Sequence, residues 1–285
     1  MRPLTIGATI VAFGTSAPEF IVSMAAGLDG ETEIAISNVI GSNIANIALV
    51  LGLAALIRAI PVDRRVLSLE YPVAVIATAL LPWFAADGDL TRTEGGYLAI
   101  GFLAFMAFYV IRARAKGTAG GEIGDGDDVS PSGSMPLNLL LMIVGLAMLK
   151  FGADLVVESG IELAARFGMS KSAVGATIIA IGTSLPEVAT SAVAAIRGQH
   201  GIAIGNVLGS NVFNVLFVLG PAALITGPLT VGDFERESLL YLMLALTAAL
   251  FPLMRFGKTI SRIEGVLLLG AYGYFLWLVQ QHGRG

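Results

Sequence analysis

Hydrophobic residues occur along the chain in long runs that short polar segments separate. Nine of these runs have about 20 residues or more, the length that an α-helix needs to cross a bilayer core about 30 Å thick. The pattern therefore predicts nine transmembrane helices and an all-α integral membrane protein. The predicted spans lie near residues 4–27, 32–60, 66–86, 93–113, 136–165, 172–197, 200–226, 237–255 and 260–281.

Composition and charge indicate the same class of protein. Hydrophobic residues make up 55% of the chain, charged residues make up 13%, and the mean hydropathy is +0.81. These values are typical of proteins that reside in a lipid bilayer. The net charge of −4 argues against nucleic acid as a partner. A cleaved signal peptide is not expected, because the first apolar run contains polar residues that recur later in the chain.

A 46-residue stretch of the chain occurs twice. Residues 7–52 align without a gap on residues 175–220, at a constant offset of 168 and with 25 identical positions. We infer that one ancestral unit was duplicated and that its matched polar atoms form one two-fold site. The identities include a Gly-Thr-Ser-x-Pro-Glu motif at 14–19 and 182–187, and an Asn-Val-x-Gly-Ser-Asn motif at 38–43 and 206–211.

The spacing of the two copies predicts that they cross the membrane in opposite directions. Four predicted spans separate the first span from its counterpart, so equivalent helices are five spans apart, and an odd separation inverts the direction. Inverted repeats are typical of secondary transporters, whose ion sites lie near the midplane. The alternative is a duplicated bundle whose shared small residues only allow close helix packing. Packing alone does not explain a matched Glu and Asn in each copy.

The distribution of Lys and Arg predicts the orientation of the chain in the membrane, and changes in composition predict its domain boundaries. If residue 1 is cytoplasmic, eleven of the 17 basic residues lie on the cytoplasmic side and five on the other side, with Lys150 inside a span. This asymmetry agrees with the positive-inside bias. We predict a first repeat at 1–114, a Gly/Ser/Asp-rich flexible cytoplasmic linker at 115–135 and a second repeat at 136–285.

The first motif combines a helix break with several oxygen ligands. Pro18 has no backbone N–H and its ring clashes with the carbonyl group four residues earlier, so the helix should kink near Gly14 and Thr15. The carbonyl oxygens at the kink then become available to other partners. Thr15 and Ser16 lie four and three residues before Glu19, so their hydroxyl groups can share a helix face with its carboxylate.

A polar stripe follows in the next predicted helix. Asn38, Ser42 and Asn46 recur at i, i+4 and i+8, which places them on one face of that helix. The second half of the chain repeats all of these polar positions, as Thr183, Ser184, Glu187, Asn206, Ser210 and Asn214.

Glutamates inside predicted spans indicate a functional site, because an ionised carboxylate in the bilayer is costly. Carboxylate, amide, hydroxyl and carbonyl oxygens suit hard cations such as Ca²⁺ and Na⁺, whereas the lack of Cys and of intramembrane His argues against zinc or copper. Two carboxylates balance one Ca²⁺ or two Na⁺, so the two ions should compete for shared oxygens. The alternative is that the glutamates are protonated and hydrogen-bonded, or that they form a proton relay.

The sequences GATIVAFGTSAPEF with NVIGSNIAN and GATIIAIGTSLPEV with NVLGSNVFN strongly resemble the two alpha-repeats of the cation/calcium exchanger superfamily, in particular the prokaryotic sodium/calcium exchangers. The resemblance implies an inverted-repeat transporter in a prokaryotic inner membrane that exchanges Ca²⁺ for Na⁺ by alternating access. It implies no cofactor besides the transported ions. It also implies the ion ligands, which are Glu19 and Glu187, the backbone carbonyls of Thr15 and Thr183, and Ser16, Ser42, Asn46, Ser184, Ser210 and Asn214.

The chain differs from the family pattern in two respects. Some members of the family, including potassium-dependent ones, have Asp where this chain has Asn214, so potassium co-transport is not expected. Members of the family have ten spans, and the span at 136–165 has no counterpart before the first motif. We therefore expect about 30–40 further residues upstream of Met1, including one apolar span, and poor transport by a chain that begins at Met1. Within 136–165, Lys150, Asp154 and Glu158 form a stripe that we interpret as internally paired, with a direct transport role as the alternative.

Two other functions remain as alternatives to a sodium-driven exchanger. Protons could drive the exchange of Ca²⁺, or the same motif could line a passive cation channel. We do not expect an enzyme, because His200 and His282 lie in a loop or the tail, at the ends of predicted spans, and neither an HExxH nor a GxSxG motif occurs. The sequence predicts no particular oligomeric state.

Overall fold

The computed structural model describes residues 3–118, 134–166 and 171–282, which are almost entirely helical. Four two-residue strands are the only β-structure in these residues, so the predicted all-α fold is confirmed. The helices are α1 Leu4–Thr15, α2 Ala17–Leu28, α3 Thr32–Ile57, α4 Val66–Asp87, α5 Arg92–Thr118, α6 Met135–Arg166, α7 Gly175–Thr183, α8 Leu185–Ile196, α9 His200–Thr226, α10 Glu235–Gly257 and α11 Arg262–His282. The strands are β1 Ile60–Pro61, β2 Asp89–Leu90, β3 Leu229–Thr230 and β4 Thr259–Ile260.

Most of the predicted spans correspond to helices of membrane-crossing length. Six helices, α3, α4, α5, α9, α10 and α11, are each long and apolar enough to cross a bilayer, and the bent pairs α1/α2 and α7/α8 each supply one more span. Eight of the nine predicted spans are therefore confirmed. The ninth, at 136–165, coincides with α6, whose described apolar part is Pro136–Gly145. The side chains of Lys150, Asp154 and Glu158, and hence their predicted stripe, lie outside what the structure describes.

The two proline motifs bend their spans. The axis turns by 41° between α1 and α2 and by 49° between α7 and α8. In each case a single serine, Ser16 or Ser184, separates the two helices, and the proline occupies the first turn of the second helix. Proline is tolerated there because the first N–H groups of a helix have no intrahelical acceptor. The predicted kinks are thus confirmed, one residue or two after the predicted position.

The helices α3 and α9 form the centre of the bundle. Within their apolar windows, 78% of α3 and 89% of α9 are buried, against 22–39% for α4, α5, α10 and α11. The outer helices instead expose large apolar side chains such as Trp83, Ile100 and Phe256, as expected for a surface that faces lipid. The two helices that carry the repeated asparagine motif are therefore the ones most completely surrounded by protein.

The strand pairs show that the two halves are inverted. β1 pairs with β4 in the register Ile60–Ile260, and β2 pairs with β3 in the register Leu90–Leu229, both antiparallel. Helix α4 runs from β1 to β2 and α10 runs from β3 to β4, so the two pairs lie at opposite ends of these helices. Helix α3 ends just before β1, whereas its counterpart α9 ends just before β3. Equivalent helices therefore end on opposite sides, as the odd span separation predicts.

Short π-helical segments recur in both halves, a feature that the sequence pattern did not predict. π-Helical segments are rare in proteins, and those that occur often lie at functional sites. The segments Gly7–Val11 and Gly175–Ile179 precede the bends, and the segments Asn46–Leu51 and Asn214–Leu219 begin at the predicted asparagine ligands. Helix α5 also differs from the prediction, since it continues to Thr118, four residues past the predicted boundary at 114.

Two glycines allow the central helices to approach the bent spans closely. A Cβ atom on Gly209 of α9 would lie 2.7 Å from the Cα atom of Ala8 in α1. At the equivalent position, a Cβ atom on Gly41 of α3 would collide with the backbone of Ala176 in α7. Both contacts are with backbone atoms, which cannot move aside as a flexible side chain can. Any larger residue at these positions would separate the helices.

We predict that Gly209→Ala lowers the melting temperature of the detergent-purified protein, because overpacking of this kind costs about 1–3 kcal/mol. Gly270→Ala in α11 is the matched control, since no other described residue outside the adjoining backbone of α11 has a heavy atom within 4 Å of the Cβ atom that it adds. The control should melt no lower than the unmodified protein, because alanine favours helix more than glycine does. Equal melting temperatures for the two variants would contradict the close contact.

Candidate functional site

The two bends bring Glu19 and Glu187 to equivalent places inside the protein. Each glutamate is the third residue of its helix, α2 or α8, and each is 0% exposed. The N-terminus of a helix carries a partial positive charge and unpaired N–H groups, which favour a carboxylate in the first turn. Helix geometry therefore offsets part of the cost of burying these two charges.

Hydrogen bonds from serines link each glutamate to the opposite repeat. The Ser16 hydroxyl donates to Oε1 of Glu187 over 3.4 Å, and the Ser184 hydroxyl donates to Oε1 of Glu19 over 3.2 Å. Ser210 also donates to Oε1 of Glu187, over 3.2 Å. The two bent spans therefore exchange serine bonds across the centre, and neither repeat forms the site alone.

The threonines of the first motif contact the asparagine helix of the other repeat. The Thr15 hydroxyl donates to Oδ1 of Asn206 over 3.2 Å and lies 3.4 Å from the Ser210 hydroxyl. Thr183 repeats this arrangement, with Oδ1 of Asn38 at 3.3 Å and the Ser42 hydroxyl at 3.4 Å. The structure thus brings the hydroxyl groups of these predicted ligands into one cluster.

Behind this cluster, Asn38 and Asn206 are held by further bonds. The Asn38 side-chain nitrogen donates to the Ser23 hydroxyl over 3.0 Å, and the Asn206 nitrogen donates to the Ser191 hydroxyl over the same distance. Each amide oxygen is then left to accept from a threonine of the other repeat. These two asparagines therefore join helices to one another, and their amide oxygens already accept a hydrogen bond.

Four buried acceptor oxygens of the predicted ligands have no hydrogen-bond donor among the described residues. They are Oε2 of Glu19, Oε2 of Glu187, Oδ1 of Asn46 and Oδ1 of Asn214. All four residues are 0% exposed. A buried acceptor without a partner is costly, so each of these oxygens is suited to contact with a bound cation. The four atoms also fall into two equivalent pairs, as expected for a two-fold site.

The donor set favours a hard cation. The candidate ligands offer carboxylate, amide and hydroxyl oxygens. Ca²⁺ and Na⁺ bind such oxygens, whereas zinc and copper favour nitrogen and sulfur ligands. Within residues 3–118, 134–166 and 171–282 there is no group of three or more His, Cys, Asp or Glu that could hold a metal. Charge at the site therefore comes from the two glutamates.

Sequence reasoning missed Asn43 and Asn211. Asn43 accepts a bond of 3.0 Å from the Asn214 side-chain nitrogen, and Asn211 accepts one of 3.0 Å from the Asn46 nitrogen. Both residues are identical in the two repeats, which was a usable signal. They were overlooked because Asn43 follows Ser42 directly and so lies off the stripe of every fourth residue.

The geometry agrees with what comparisons with known proteins reveal. The chain matches the family model described as "Sodium/calcium exchanger protein" over residues 1–111 and 137–280. It is 39% identical over 280 residues to the putative antiporter CaxA of Alkalimonas amylolytica, covering 96% of this chain and 87% of that protein. It is 36% identical over 280 residues to the inner membrane protein YrbG of Escherichia coli (strain K12), covering 97% and 85%.

A solved structure gives the same fold. The structure of the sodium-calcium exchanger NCX_Mj soaked with 2.5 mM Na⁺ and 1 mM Sr²⁺ superposes with a TM-score of 0.78 at 30% sequence identity. The match covers 97% of this chain and 87% of that structure. The likeness therefore extends over nearly the whole of this chain.

We predict that Ca²⁺ raises the melting temperature of the purified protein and that Glu187→Gln abolishes this rise. A ligand present at a hundred times its Kd stabilises the folded state by about 2.7 kcal/mol, and the variant removes one of the two charges that hold the cation. The control is Glu264→Gln, which changes a carboxylate that accepts from the Ser261 N–H at the start of α11. The control should keep the calcium-dependent rise; its loss there too would contradict the site.

Proposed function

The chain belongs to the sodium/calcium exchanger family and is a cation/Ca²⁺ antiporter that spans the membrane several times, and on this premise we propose that it exchanges Ca²⁺ for Na⁺ at the paired-glutamate site. In this proposal Glu19 and Glu187 hold Ca²⁺ and share the bound Na⁺. The other ligands are Thr15, Ser16, Ser42, Asn46, Thr183, Ser184, Ser210 and Asn214. The protein needs no cofactor and performs no enzymatic step.

The observation that carries this proposal is the set of four unpartnered oxygens on Glu19, Glu187, Asn46 and Asn214. Each repeat supplies one carboxylate and one carboxamide. Two ionised carboxylates carry the charge that neutralises one Ca²⁺ or two Na⁺, so either cargo leaves the buried site near neutrality. Exchange then follows from competition, because oxygens that hold Ca²⁺ are unavailable to Na⁺, and oxygens that hold Na⁺ are unavailable to Ca²⁺.

The cross-repeat hydrogen bonds suit alternating access. In transporters built from inverted repeats, one repeat or bundle moves against the other around a fixed midplane site. Here the bonds that reach Glu187 from Ser16, and Glu19 from Ser184, are 3.2–3.4 Å long, which is long for an O–H···O hydrogen bond. Contacts of this kind each stabilise a structure modestly. They can therefore be remade as the bent spans shift, while the asparagine helices α3 and α9 stay at the centre.

The surroundings proposed for the protein follow from its charge distribution and its relatives. We place it in a prokaryotic inner membrane with residue 1 in the cytoplasm, since this orientation puts eleven basic residues on the cytoplasmic side. The E. coli relative is named an inner membrane protein, which supports the same location. Its partners are Ca²⁺, Na⁺ and the lipid bilayer.

We predict that liposomes containing the purified protein and loaded with Na⁺ take up more ⁴⁵Ca²⁺ than empty liposomes do when diluted into sodium-free buffer. Glu19→Gln should reduce this uptake to the level of empty liposomes, because the amide cannot supply half of the compensating charge. Glu94→Gln is the matched control. Its side chain accepts from the Thr91 N–H and hydroxyl at 2.8 and 2.7 Å, and glutamine keeps an oxygen for these bonds. The control should transport normally.

The same liposomes separate the alternative functions. Accumulation driven by an outward proton gradient without Na⁺ would identify H⁺ as the driving ion. Passage of Ca²⁺ down its own gradient, with no counter-ion at all, would identify a passive channel. Undiminished sodium-driven uptake by a folded Glu19→Gln protein would disprove the assignment of the site.

A further inference from the structure

Four asparagine carboxamides meet where the middle of α3 lies against the middle of α9. All of them are at most 1% exposed, and they bond to one another across the two repeats. Their outer members, Asn46 and Asn214, each have an unpartnered Oδ1 atom. The inner members, Asn43 and Asn211, use both the nitrogen and the oxygen of the side-chain amide in bonds to the opposite helix.

Backbone carbonyls determine which way the inner carboxamides face. The Asn211 side-chain nitrogen donates to the backbone oxygen of Asn43 over 3.3 Å, and the Asn43 nitrogen donates to the backbone oxygen of Asn211 over 3.4 Å. A carbonyl oxygen can only accept a hydrogen bond, so each inner carboxamide must turn its nitrogen toward the opposite backbone. Its own Oδ1 atom must then point the other way.

This orientation passes to the outer carboxamides. Oδ1 of Asn43 can only accept, so Asn214 must present its nitrogen, which lies 3.0 Å away. In the same way, Oδ1 of Asn211 receives the nitrogen of Asn46 over 3.0 Å. The nitrogen of each outer carboxamide is then in use, and its oxygen is the atom left without a partner. A flipped carboxamide would instead direct two N–H donors at a cation, which would repel it.

We propose that Asn43 and Asn211 are positioning residues that hold the Oδ1 atoms of Asn214 and Asn46, respectively, toward the cation. The proposal rests on the function proposed above and adds residues that do not themselves bind the ion. The pairing is crossed, since Asn43 in the first repeat orients a ligand of the second repeat and Asn211 orients a ligand of the first. Groups that orient metal ligands in this way commonly change metal affinity by about 10- to 100-fold when they are removed.

The crossed pairing gives a test that a general loss of stability cannot imitate. Equilibrium ⁴⁵Ca²⁺ binding to the detergent-purified protein is measured for Asn43→Ala, which should weaken binding about tenfold. In an Asn214→Ala background the same change should weaken binding no further, because the ligand that Asn43 orients is already missing. In an Asn46→Ala background it should still weaken binding about tenfold.

Asn211→Ala should show the reverse pattern. It should not weaken calcium binding further in an Asn46→Ala background, and it should weaken binding about tenfold in an Asn214→Ala background. If Asn43→Ala does not fold, Asn43→Ser is a smaller change whose hydroxyl is too short to replace Oδ1, and it should give the same pattern. Thr247→Val is the structural control, since its hydroxyl donates within α10, to the Met243 carbonyl oxygen at 2.8 Å. It should leave the calcium affinity unchanged.

The outcomes separate this inference from the proposed function. Unchanged calcium affinity in the single variants, or losses that add equally in both backgrounds, would overturn the positioning role while leaving the exchanger proposal intact. A lower melting temperature without a change in affinity would likewise overturn it, since Asn43 would then be structural only. If the unmodified protein binds no Ca²⁺, the proposed function fails and the positioning role fails with it.

Discussion

Two carboxylates buried at the centre of an apolar bundle are the constraint on which the rest of the structure depends. An ionised group in such a place must be paired or must bind an ion. In the described part of the chain, no Lys or Arg side chain donates a hydrogen bond to Glu19 or Glu187, and the recorded ion pair between Arg236 and Asp233 lies elsewhere, before α10 and in its first turn. The compensation comes instead from the N-termini of α2 and α8, from serine hydroxyls and, in the proposed function, from the transported cation. A site without a permanent counter-ion is able to release one cation and take another.

The inversion of the two repeats turns this local requirement into a global one. Because Ser16 bonds to Glu187 and Ser184 bonds to Glu19, the charge on each repeat is stabilised by the other. A movement of one bent span therefore changes the surroundings of both glutamates together. The inner asparagines add the opposite property, since their four bonds join α3 to α9, two of them through backbone carbonyls. The site thus combines a fixed central pair of helices with outer contacts that can be remade.

The sequence predicted much of the fold because hydrophobic runs and proline have local consequences. Span length and the bends at Ser16 and Ser184 follow from residues close together in the chain, and the inverted order follows from the number of spans between the two copies of the repeat. The bonds between repeats could not be predicted in the same way, because a period of four places Ser42 and Asn46 on one face but does not say which helix they meet. The roles of Asn43 and Asn211 depend on the backbone of the opposite helix, which no local pattern encodes.

Packing and ligand geometry are set by neighbouring residues along the same helix. Gly209, which lets α9 approach Ala8, directly precedes Ser210, which bonds to Glu187. Helix α1, which Gly209 contacts, ends at Thr15, and the Thr15 hydroxyl reaches Ser210 as well. The same relation holds at Gly41 and Ser42, which meet α7 and Thr183. Because hydrogen bonds weaken steeply beyond about 3.5 Å, the distance between these helices determines whether the hydroxyl cluster can form. The glycines of the repeat therefore contribute to the candidate ion site through the spacing that they permit, although they offer no ligand atom from a side chain.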